Sequence, residues 1–140
     1  MDRCKVLIVD ENIHVRRLVK AILAGIPGAE VCECADGDSA IELAAYWAPD
    51  AVLVDYETQP MSGLVFTEKV RAGKTSLPPD LPIVMMTEPA DEVRMARVRK
   101  AGADAVLVKP LSATAVVDGL QQMLRALPMR QVGQAPAATG

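Results

Sequence analysis

Five side chains that could do chemistry lie at the ends of four short apolar runs in the sequence. They are Asp10, Glu11, Asp55, Thr87 and Lys109. Continuous apolar runs that are rich in Val and Ile, separated by helix-like stretches, are typical of parallel strands buried on both faces. Ligands of open α/β sheets bind beyond the carboxyl ends of the strands, where the strand order reverses. We therefore expect three carboxylates, one hydroxyl and one amine to lie together at one edge of a sheet.

The three carboxylates predict a site for a hard divalent cation. Close carboxylates repel one another unless a cation compensates their charge, and oxygen ligands that leave room for water favour magnesium. Asp10 or Glu11 alone could instead cap a helix, because acidic residues at strand ends often do so. Lys109 and Thr87 at neighbouring strand ends favour the ligand site. Lys109 supplies a charge that can pair with a carboxylate or a phosphoryl oxygen, and Thr87 supplies a hydroxyl donor.

The elements that must position these side chains alternate between strands and helices. Apolar runs predict four strands, and the segment 30–34, of mixed polarity, predicts a fifth strand near the sheet edge. The four runs are 6–9, 51–54, 83–86 and 105–108. Apolar residues at helical spacing lie between the strands. Five successive strand–helix units imply an α/β fold with a doubly wound, five-stranded parallel sheet and helices on both faces.

The sequence also predicts where two of the helices begin or end and which side of the fourth helix faces inward. Asp38 or Ser39 is expected to cap the second helix, and Gly102 is expected to end the fourth. The fourth helix, over residues 91–101, is expected to turn its apolar residues inward and its basic residues largely outward. The apolar residues are Val93, Ala96 and Val98, and the basic residues are Arg94, Arg97, Arg99 and Lys100.

Length and composition limit the class of protein. The 140 residues are 51% hydrophobic, which suits a single domain with a real core. A formal net charge of −3 gives no general attraction to nucleic acid, and no apolar stretch is long enough to span a membrane. Three cysteines do not form a disulfide framework, and Cys32 and Cys34 are expected to pack on a strand rather than to bind metal. These features predict a soluble, cytoplasmic protein.

Several motifs occur in the order and at the spacing of one known family. They are Val9-Asp10-Glu11-Asn12, Asp55 with the downstream Pro60, Met61 and Gly63, Thr87 after its apolar run, and Gly102-Ala103-Asp104 leading to Lys109-Pro110-Leu111. Over most of its length the chain resembles bacterial two-component response-regulator receiver domains, of the single-domain, chemotaxis-regulator type. The resemblance implies a flavodoxin-like sheet with the strand order 2-1-3-4-5.

The resemblance also implies roles for the acidic residues. Asp55 would accept a phosphoryl group from a phosphohistidine on a sensor histidine kinase or a histidine phosphotransfer protein. Mg²⁺ would be held by Glu11, Asp55 and the backbone carbonyl of Glu57, with Asp10 assisting through water. The chain would catalyse only its own aspartyl phosphorylation and dephosphorylation, and would not otherwise be an enzyme.

The chemistry of phosphoryl transfer agrees with these implied roles. Asp55 would be the nucleophile and would form an acyl phosphate. Magnesium and Lys109 would balance the charge on the equatorial oxygens of the phosphoryl group. Thr87 would bond to one of those oxygens, and by the logic of the family this inward pull shifts the domain towards an active state.

Four residues depart from the family pattern or tune it. Val106 stands where receivers often carry Tyr or Phe, so output is expected to depend on the loop after Thr87 and on the fourth helix. Glu88, followed by Pro89, replaces a small residue. It either slows phosphorylation by small donors such as acetyl phosphate, by competing for the strand-end lysine or repelling the phosphoryl group, or simply points to solvent. Glu57 stands where family members tune the lifetime of the acyl phosphate, and could orient a hydrolytic water or repel it.

We expect a stand-alone receiver that signals through protein–protein contacts. Residues 1–127 are predicted to form the domain, and residues 128–140, rich in Pro, Ala, Gln and Gly, a disordered tail. The expected partners are a kinase or phosphotransfer protein and a downstream protein, with no nucleic acid and no membrane, and the expected state is a monomer or weak homodimer. Two alternatives stay open: a receiver-like scaffold that binds its partner without being phosphorylated, and the N-terminal receiver of a longer regulator.

Overall fold

The computed structural model of the protein describes residues 3–122, in which strands and helices alternate. The strands are β1 Cys4–Val9, β2 Ala29–Cys34, β3 Ala51–Asp55, β4 Ile83–Thr87 and β5 Ala105–Val108. The helices are α1 Ile13–Leu23, α2 Gly37–Ala44, α3 Gly63–Arg71 and α4 Glu92–Ala101, followed by α5, which begins at residue 113 and is described as far as residue 122. The predicted domain boundary at residue 127 and the predicted tail at 128–140 lie outside the described residues.

The five strands are parallel and lie in the order β2-β1-β3-β4-β5. This order confirms the predicted doubly wound, flavodoxin-like fold. The Cα partners near the carboxyl ends of the strands are Val9 and Val54, Asp55 and Met86, and Thr87 and Val108. Because these registers align the strand ends, the residues that follow β1, β3, β4 and β5 meet at one edge of the sheet.

The sheet buries side chains on both of its faces. Successive residues of β1, β3 and β4 alternate between two hydrophobic clusters, which explains why these strands are continuous apolar runs. The first cluster includes Leu7, Val52 and Ile83, and the second includes Ile8, Leu53 and Val84. β2 lies at the edge and is only half-buried. Cys32 and Cys34 of this strand are free thiols that pack against the first cluster, as predicted.

The caps of α1 and α2 are Asn12 and Asp36. Asn12 caps α1, and its side-chain oxygen accepts from the backbone N–H of His14 at 2.8 Å. Asp36 caps α2 and accepts from the backbone N–H of Ser39 at 2.9 Å. The predicted caps of α2 are therefore wrong: Ser39 donates the capping hydrogen bond instead of accepting one. Asp10 and Glu11 cap no helix, so their strand-end position needs another explanation.

The inward face of α4 is formed by its C-terminal half. Val98 and Ala101 are buried, whereas Val93 is 60% exposed and Ala96 is also exposed. The predicted inward positions of Val93 and Ala96 are wrong, because only the last turns of the helix reach the core. Gly102 ends the helix as predicted, with a left-handed φ of 101°.

Gly63 is the point of closest approach between α3 and the end of β3. A Cβ atom at Gly63 would lie 2.9 Å from the carbonyl carbon of Asp55 and closer still to its oxygen. The backbone N–H of Gly63 donates to the carbonyl of Tyr56 at 3.1 Å, and Ser62 caps the helix. The missing side chain therefore lets α3 begin directly against the strand that ends in Asp55.

Arg71, the last residue of α3, holds three segments together. Its guanidinium donates hydrogen bonds at 2.7–2.9 Å to the carbonyls of Pro79, Leu81 and Gly102 and to the carboxylate of Asp104. The same Asp104 oxygen accepts from the backbone N–H of Ile83, the first residue of β4, at 2.8 Å. Arg71 thus ties the end of α3 to the proline-rich loop between α3 and β4 and to the loop between α4 and β5.

Candidate functional site

Lys109 joins two carboxylates at the carboxyl edge of the sheet. Its ammonium nitrogen lies 2.9 Å from Oδ2 of Asp10 and 2.8 Å from Oδ1 of Asp55. The Asp10 side chain is 2% exposed, and those of Asp55 and Lys109 are each 14% exposed. The structure therefore brings together, in a largely buried group, three of the five side chains that the sequence placed at strand ends.

Local backbone contacts orient the two aspartates. The N–H of Asn12 donates to Oδ1 of Asp10 at 2.8 Å, and the N–H of Glu57 donates to Oδ2 of Asp55 at 3.3 Å. Each carboxylate thus uses one oxygen for the loop that follows its strand and the other for the ammonium of Lys109. The peptide bonds Lys109–Pro110 and Gln59–Pro60, in two of the loops at this edge, are both cis.

Burial and charge act in opposite directions on these groups. Burial is the largest influence on Asp55 and raises the pKa of its carboxyl; the charge of Asp10 adds to this, and the hydrogen bond from Lys109 opposes it. Burial lowers the pKa of Lys109, but hydrogen bonds to Asp55 and Asp10 outweigh it, so that the pKa of the ammonium is raised. One cation therefore compensates two carboxylates, and the group favours additional positive charge.

The carboxylates of Asp10 and Asp55 fit the oxygen chemistry that Mg²⁺ prefers. Mg²⁺ is usually held by one or two carboxylates together with several waters, and these two carboxylates already converge on a single cation, the ammonium of Lys109. The side chain of Glu11 is exposed. Within residues 3–122, no three acidic, histidine or cysteine side chains are gathered closely enough to enclose a metal ion. The structure thus places two of the predicted ligands together, and Glu11 at the rim.

Thr87 lies at the end of β4 and is buried. Its hydroxyl donates to the carbonyl of Glu88 at 3.0 Å and accepts from Nη1 of Arg94 at 3.2 Å. The hydrogen bonds found for Thr87 therefore lie on the α4 side of the edge, while those of Asp55 go to Lys109 and Glu57.

Arg94 is a member of the site that sequence reasoning missed. It was expected to face outward, but Nη2 lies 2.8 Å from Oε1 of Glu57, and the guanidinium carbon lies 4.3 Å from the ring centroid of Tyr56. The one feature that could have indicated this role is the place of Arg94 in α4. Asp91 caps the helix, so Arg94 lies in its first turn, close to the loop that follows Thr87. Helical spacing alone could not reveal that its long side chain reaches back to this loop.

The other tuning residues lie around this group. Glu88 and Pro89 are exposed, and the ion pairs of Lys109 go to Asp10 and Asp55 rather than to Glu88. Val106 is half-buried, pairs in register with Met85 and packs against the first hydrophobic cluster. The roles suggested for these residues in phosphorylation stay predictions.

The fold, and the residues at the carboxyl ends of its strands, agree with a match to a known family. The family model described as the response regulator receiver domain matches residues 6–133. The chain belongs to this receiver-domain family. The match confirms the family that the motifs predicted, and the receiver domain has the strand order expected of it.

Relatives of this receiver domain include longer proteins. The protein-glutamate methylesterase/protein-glutamine glutaminase 4 of Geobacter metallireducens is 37% identical over 110 residues, which are 76% of this chain and 30% of the relative. The transcriptional regulatory protein SrrA of Staphylococcus aureus is 32% identical over 121 residues, which are 86% of this chain and 48% of the relative. The chain thus spans less than two thirds of the length of these relatives.

A solved structure shows the same architecture. The chemotaxis response regulator CheY4 of Vibrio cholerae is 30% identical to this receiver domain, with a TM-score of 0.75 over 86% of this chain and 98% of that chain. Among residues 3–122, no helix has both the length and the apolar character needed to cross a membrane.

Proposed function

We propose that this receiver domain accepts a phosphoryl group on Asp55 from a phosphohistidine and passes the signal on through protein contacts. The observation that carries the proposal is the position of Lys109, whose ammonium lies within 2.9 Å of carboxylate oxygens of both Asp10 and Asp55. A phosphoryl group on Asp55 would bring further negative charge to the place where this cation is already held. Lys109, together with the Mg²⁺ that the carboxylates would hold, would compensate the charge of an anion that arrives at Asp55.

The proposed reaction is an in-line displacement at phosphorus. A carboxylate oxygen of Asp55 attacks the phosphorus, an O–P bond forms as the P–N bond to the histidine breaks, and the imidazole leaves with the bonding electron pair. The product is an acyl phosphate on Asp55. Lys109 would compensate charge on the phosphoryl oxygens as a compact cation with three donors. Receiver domains are in general not enzymes, and the proposed chemistry is confined to the domain's own aspartate.

Mg²⁺ would be held by the carboxylates of Asp10 and Asp55, and the proposed ligand set adds Glu11 and the backbone carbonyl of Glu57. When bound, Mg²⁺ would neutralise part of the charge on the transferred phosphoryl group. Hydrogen bonds from the N–H of Asn12 and from Lys109 hold the Asp10 carboxylate in place. Asp10 could therefore present an oxygen to the ion without a movement of the strand ends.

Thr87 is proposed to respond to the phosphoryl group. Its hydroxyl proton is used by the carbonyl of Glu88, so donation to a phosphoryl oxygen requires that this hydrogen bond be exchanged. The exchange would move the loop that begins at Glu88 and the first turn of α4 behind it. Val106 is aliphatic and half-buried, so we expect this loop, rather than a rotating ring, to carry the change to the surface.

The domain is proposed to act in the cytoplasm, where the free thiols of Cys4, Cys32 and Cys34 would stay reduced. Its partners would be a sensor histidine kinase or histidine phosphotransfer protein and a downstream protein.

A second candidate is that the chain is the N-terminal receiver of a longer regulator. The relatives favour it, because the chain spans only 30% of the Geobacter methylesterase and 48% of SrrA.

Incubation with Mg²⁺ and a phosphorylated histidine donor, followed by intact-mass measurement, tests the proposal. Wild type is expected to gain the mass of one phosphoryl group, and Asp55→Asn is expected to gain none. Asp38→Asn is a matched control on the exposed surface of α2 and is expected to behave as wild type. No mass gain in wild type, or an equal gain in Asp55→Asn, would show that the proposal is wrong.

A further inference from the structure

Arg94 connects three residues that surround the end of β3 and the end of β4. Nη2 lies 2.8 Å from Oε1 of Glu57, Nη1 lies 3.2 Å from the hydroxyl oxygen of Thr87, and the guanidinium carbon lies 4.3 Å from the Tyr56 ring centroid. Tyr56 and Glu57 are the two residues that directly follow Asp55. A cation of α4 is thus anchored to the loop beside the proposed phosphoryl acceptor.

The anchoring makes this ion pair different from an ordinary surface pair. An exposed pair gains little, because two long side chains lose freedom when they meet. Here the Tyr56 ring and the buried hydroxyl of Thr87 hold the guanidinium in place, so less freedom is lost when it binds Glu57. Arginine suits this position because its planar fork offers separate donors to two acceptors.

The position of Glu57 gives the pair a consequence for charge. Its backbone N–H donates to Asp55 Oδ2 at 3.3 Å, while its carboxylate is bound to Arg94 on the α4 side. Lys109 already forms ion pairs with both Asp10 and Asp55. A free Glu57 carboxylate would add a third negative charge next to the acceptor, and no contact of Lys109 compensates it. An incoming anionic phosphoryl group would be repelled by that charge.

We propose that Arg94 is a positioning residue for phosphorylation: it holds the Glu57 carboxylate on α4 and neutralises it, so that the approach to Asp55 stays open to an anionic donor. This inference rests on the proposed function of Asp55. It assigns to the first turn of α4 a part in the arrival of the phosphoryl group, in addition to the part that Thr87 would play after arrival.

The test compares rates of phosphorylation in a set of variants. Arg94→Met removes the charge but keeps an unbranched side chain over Tyr56, and Glu57→Gln removes the opposing charge. The double variant combines the two changes. Arg97→Met, on the exposed surface of α4, is the matched control for loss of one positive charge. Rates of mass gain are measured with Mg²⁺ and acetyl phosphate, and again with the phosphohistidine donor.

The expected result is a slower Arg94→Met variant and a rescue by the second change. Arg94→Met should be slower by roughly two- to fivefold, a modest factor because the Glu57 side chain is 59% exposed and water screens its charge. The double variant should return to the rate of Glu57→Gln alone, and Arg97→Met to the wild-type rate. A merely structural role of Arg94 would leave the double variant as slow as Arg94→Met.

The outcomes separate this inference from the proposed function. If wild type gains phosphate but Arg94→Met reacts at the wild-type rate, or if the double variant stays slow, the role of Arg94 is wrong while the role of Asp55 stands. If wild type gains no phosphate from either donor, the proposed function fails and the inference fails with it.

Discussion

The ammonium of Lys109 lies 2.8 Å from Asp55 while its other contact, at 2.9 Å, is with Asp10. One cation is therefore shared by two carboxylates, and all three side chains are largely shielded from water. Burial is the main reason that the pKa of Asp55 is raised, and the charge of Asp10 adds to it. The ionised form of Asp55 is thus less favourable in the folded chain than in the unfolded one, which has consequences for stability.

Asp55→Asn is expected to stabilise the fold at pH 8, because burying an uncharged amide costs less than burying a carboxylate. At a pH well below the ordinary aspartate pKa of about 4, Asp55 is neutral in both states and the advantage of Asn disappears. As the pH rises, the unfolded chain loses this proton first, so wild type loses stability until the pH passes the raised pKa of the folded state. Urea unfolding of both proteins at pH 8 and at about pH 2.5, well below the ordinary aspartate pKa, measures the difference.

Asp38→Asn is the control for this pH dependence, since Asp38 is exposed on α2 and lies outside the strand-edge group. It should change stability by less than about 0.5 kcal/mol. Equal stability of wild type and Asp55→Asn at pH 8 would mean that Lys109 fully compensates both aspartates.

Lys109→Met is expected to lower stability at pH 8 and to abolish phosphorylation. It leaves Asp10 and Asp55 next to each other without their shared cation, and removing one partner of a buried ion pair costs about 3 kcal/mol or more. Adding Asp55→Asn to this variant should recover part of the loss, because only one uncompensated carboxylate then remains. Urea unfolding of the single and double variants measures the recovery; a double variant that is no more stable than Lys109→Met contradicts the explanation.

Gly63→Ala is expected to destabilise the protein by about 2–3 kcal/mol. The new methyl group would overlap the backbone carbonyl of Asp55, and backbone atoms cannot move aside as the end of a flexible side chain can. Gly25→Ala is the control, because its Cβ would meet only the carbonyl oxygen of Ile22 at an ordinary 3.5 Å. Thermal unfolding of both variants is the measurement. A similar midpoint for the two would show that α3 can shift away from β3 at little cost.

The grouping of side chains at the carboxyl ends of the strands could be predicted from the sequence, because two rules act together. Strands buried on both faces are continuous apolar runs, and parallel registers align the ends of such strands, so the residues after the runs had to meet. This reasoning placed Lys109, Asp10 and Asp55 together. It could not give the position of the Glu11 side chain, because a rim residue can point to the site or to solvent without any change in the pattern.

The helix details were harder to predict, for different reasons. Asp36, Asp38 and Ser39 can all act as caps, and only the hydrogen bond to the N–H of Ser39 distinguishes them. In α4, apolar spacing indicated an inward face, but the helix reaches the core only near Val98. The reach of Arg94 depends on the geometry of the loop after β4, which no local pattern encodes.

Arg71→Met is expected to destabilise the protein by about 3 kcal/mol, because charged hydrogen bonds are lost and carbonyl acceptors are left without their donor. The variant keeps an unbranched side chain but cannot bond to Gly102, Leu81 or Asp104. Asp104 would keep its bond from the N–H at the start of β4 and lose its ion pair. Lys69→Met, an exposed residue of the same helix, should change stability by less than about 0.5 kcal/mol. Urea unfolding distinguishes the two, and equal midpoints would mean that the three segments around Arg71 are held by their apolar contacts alone.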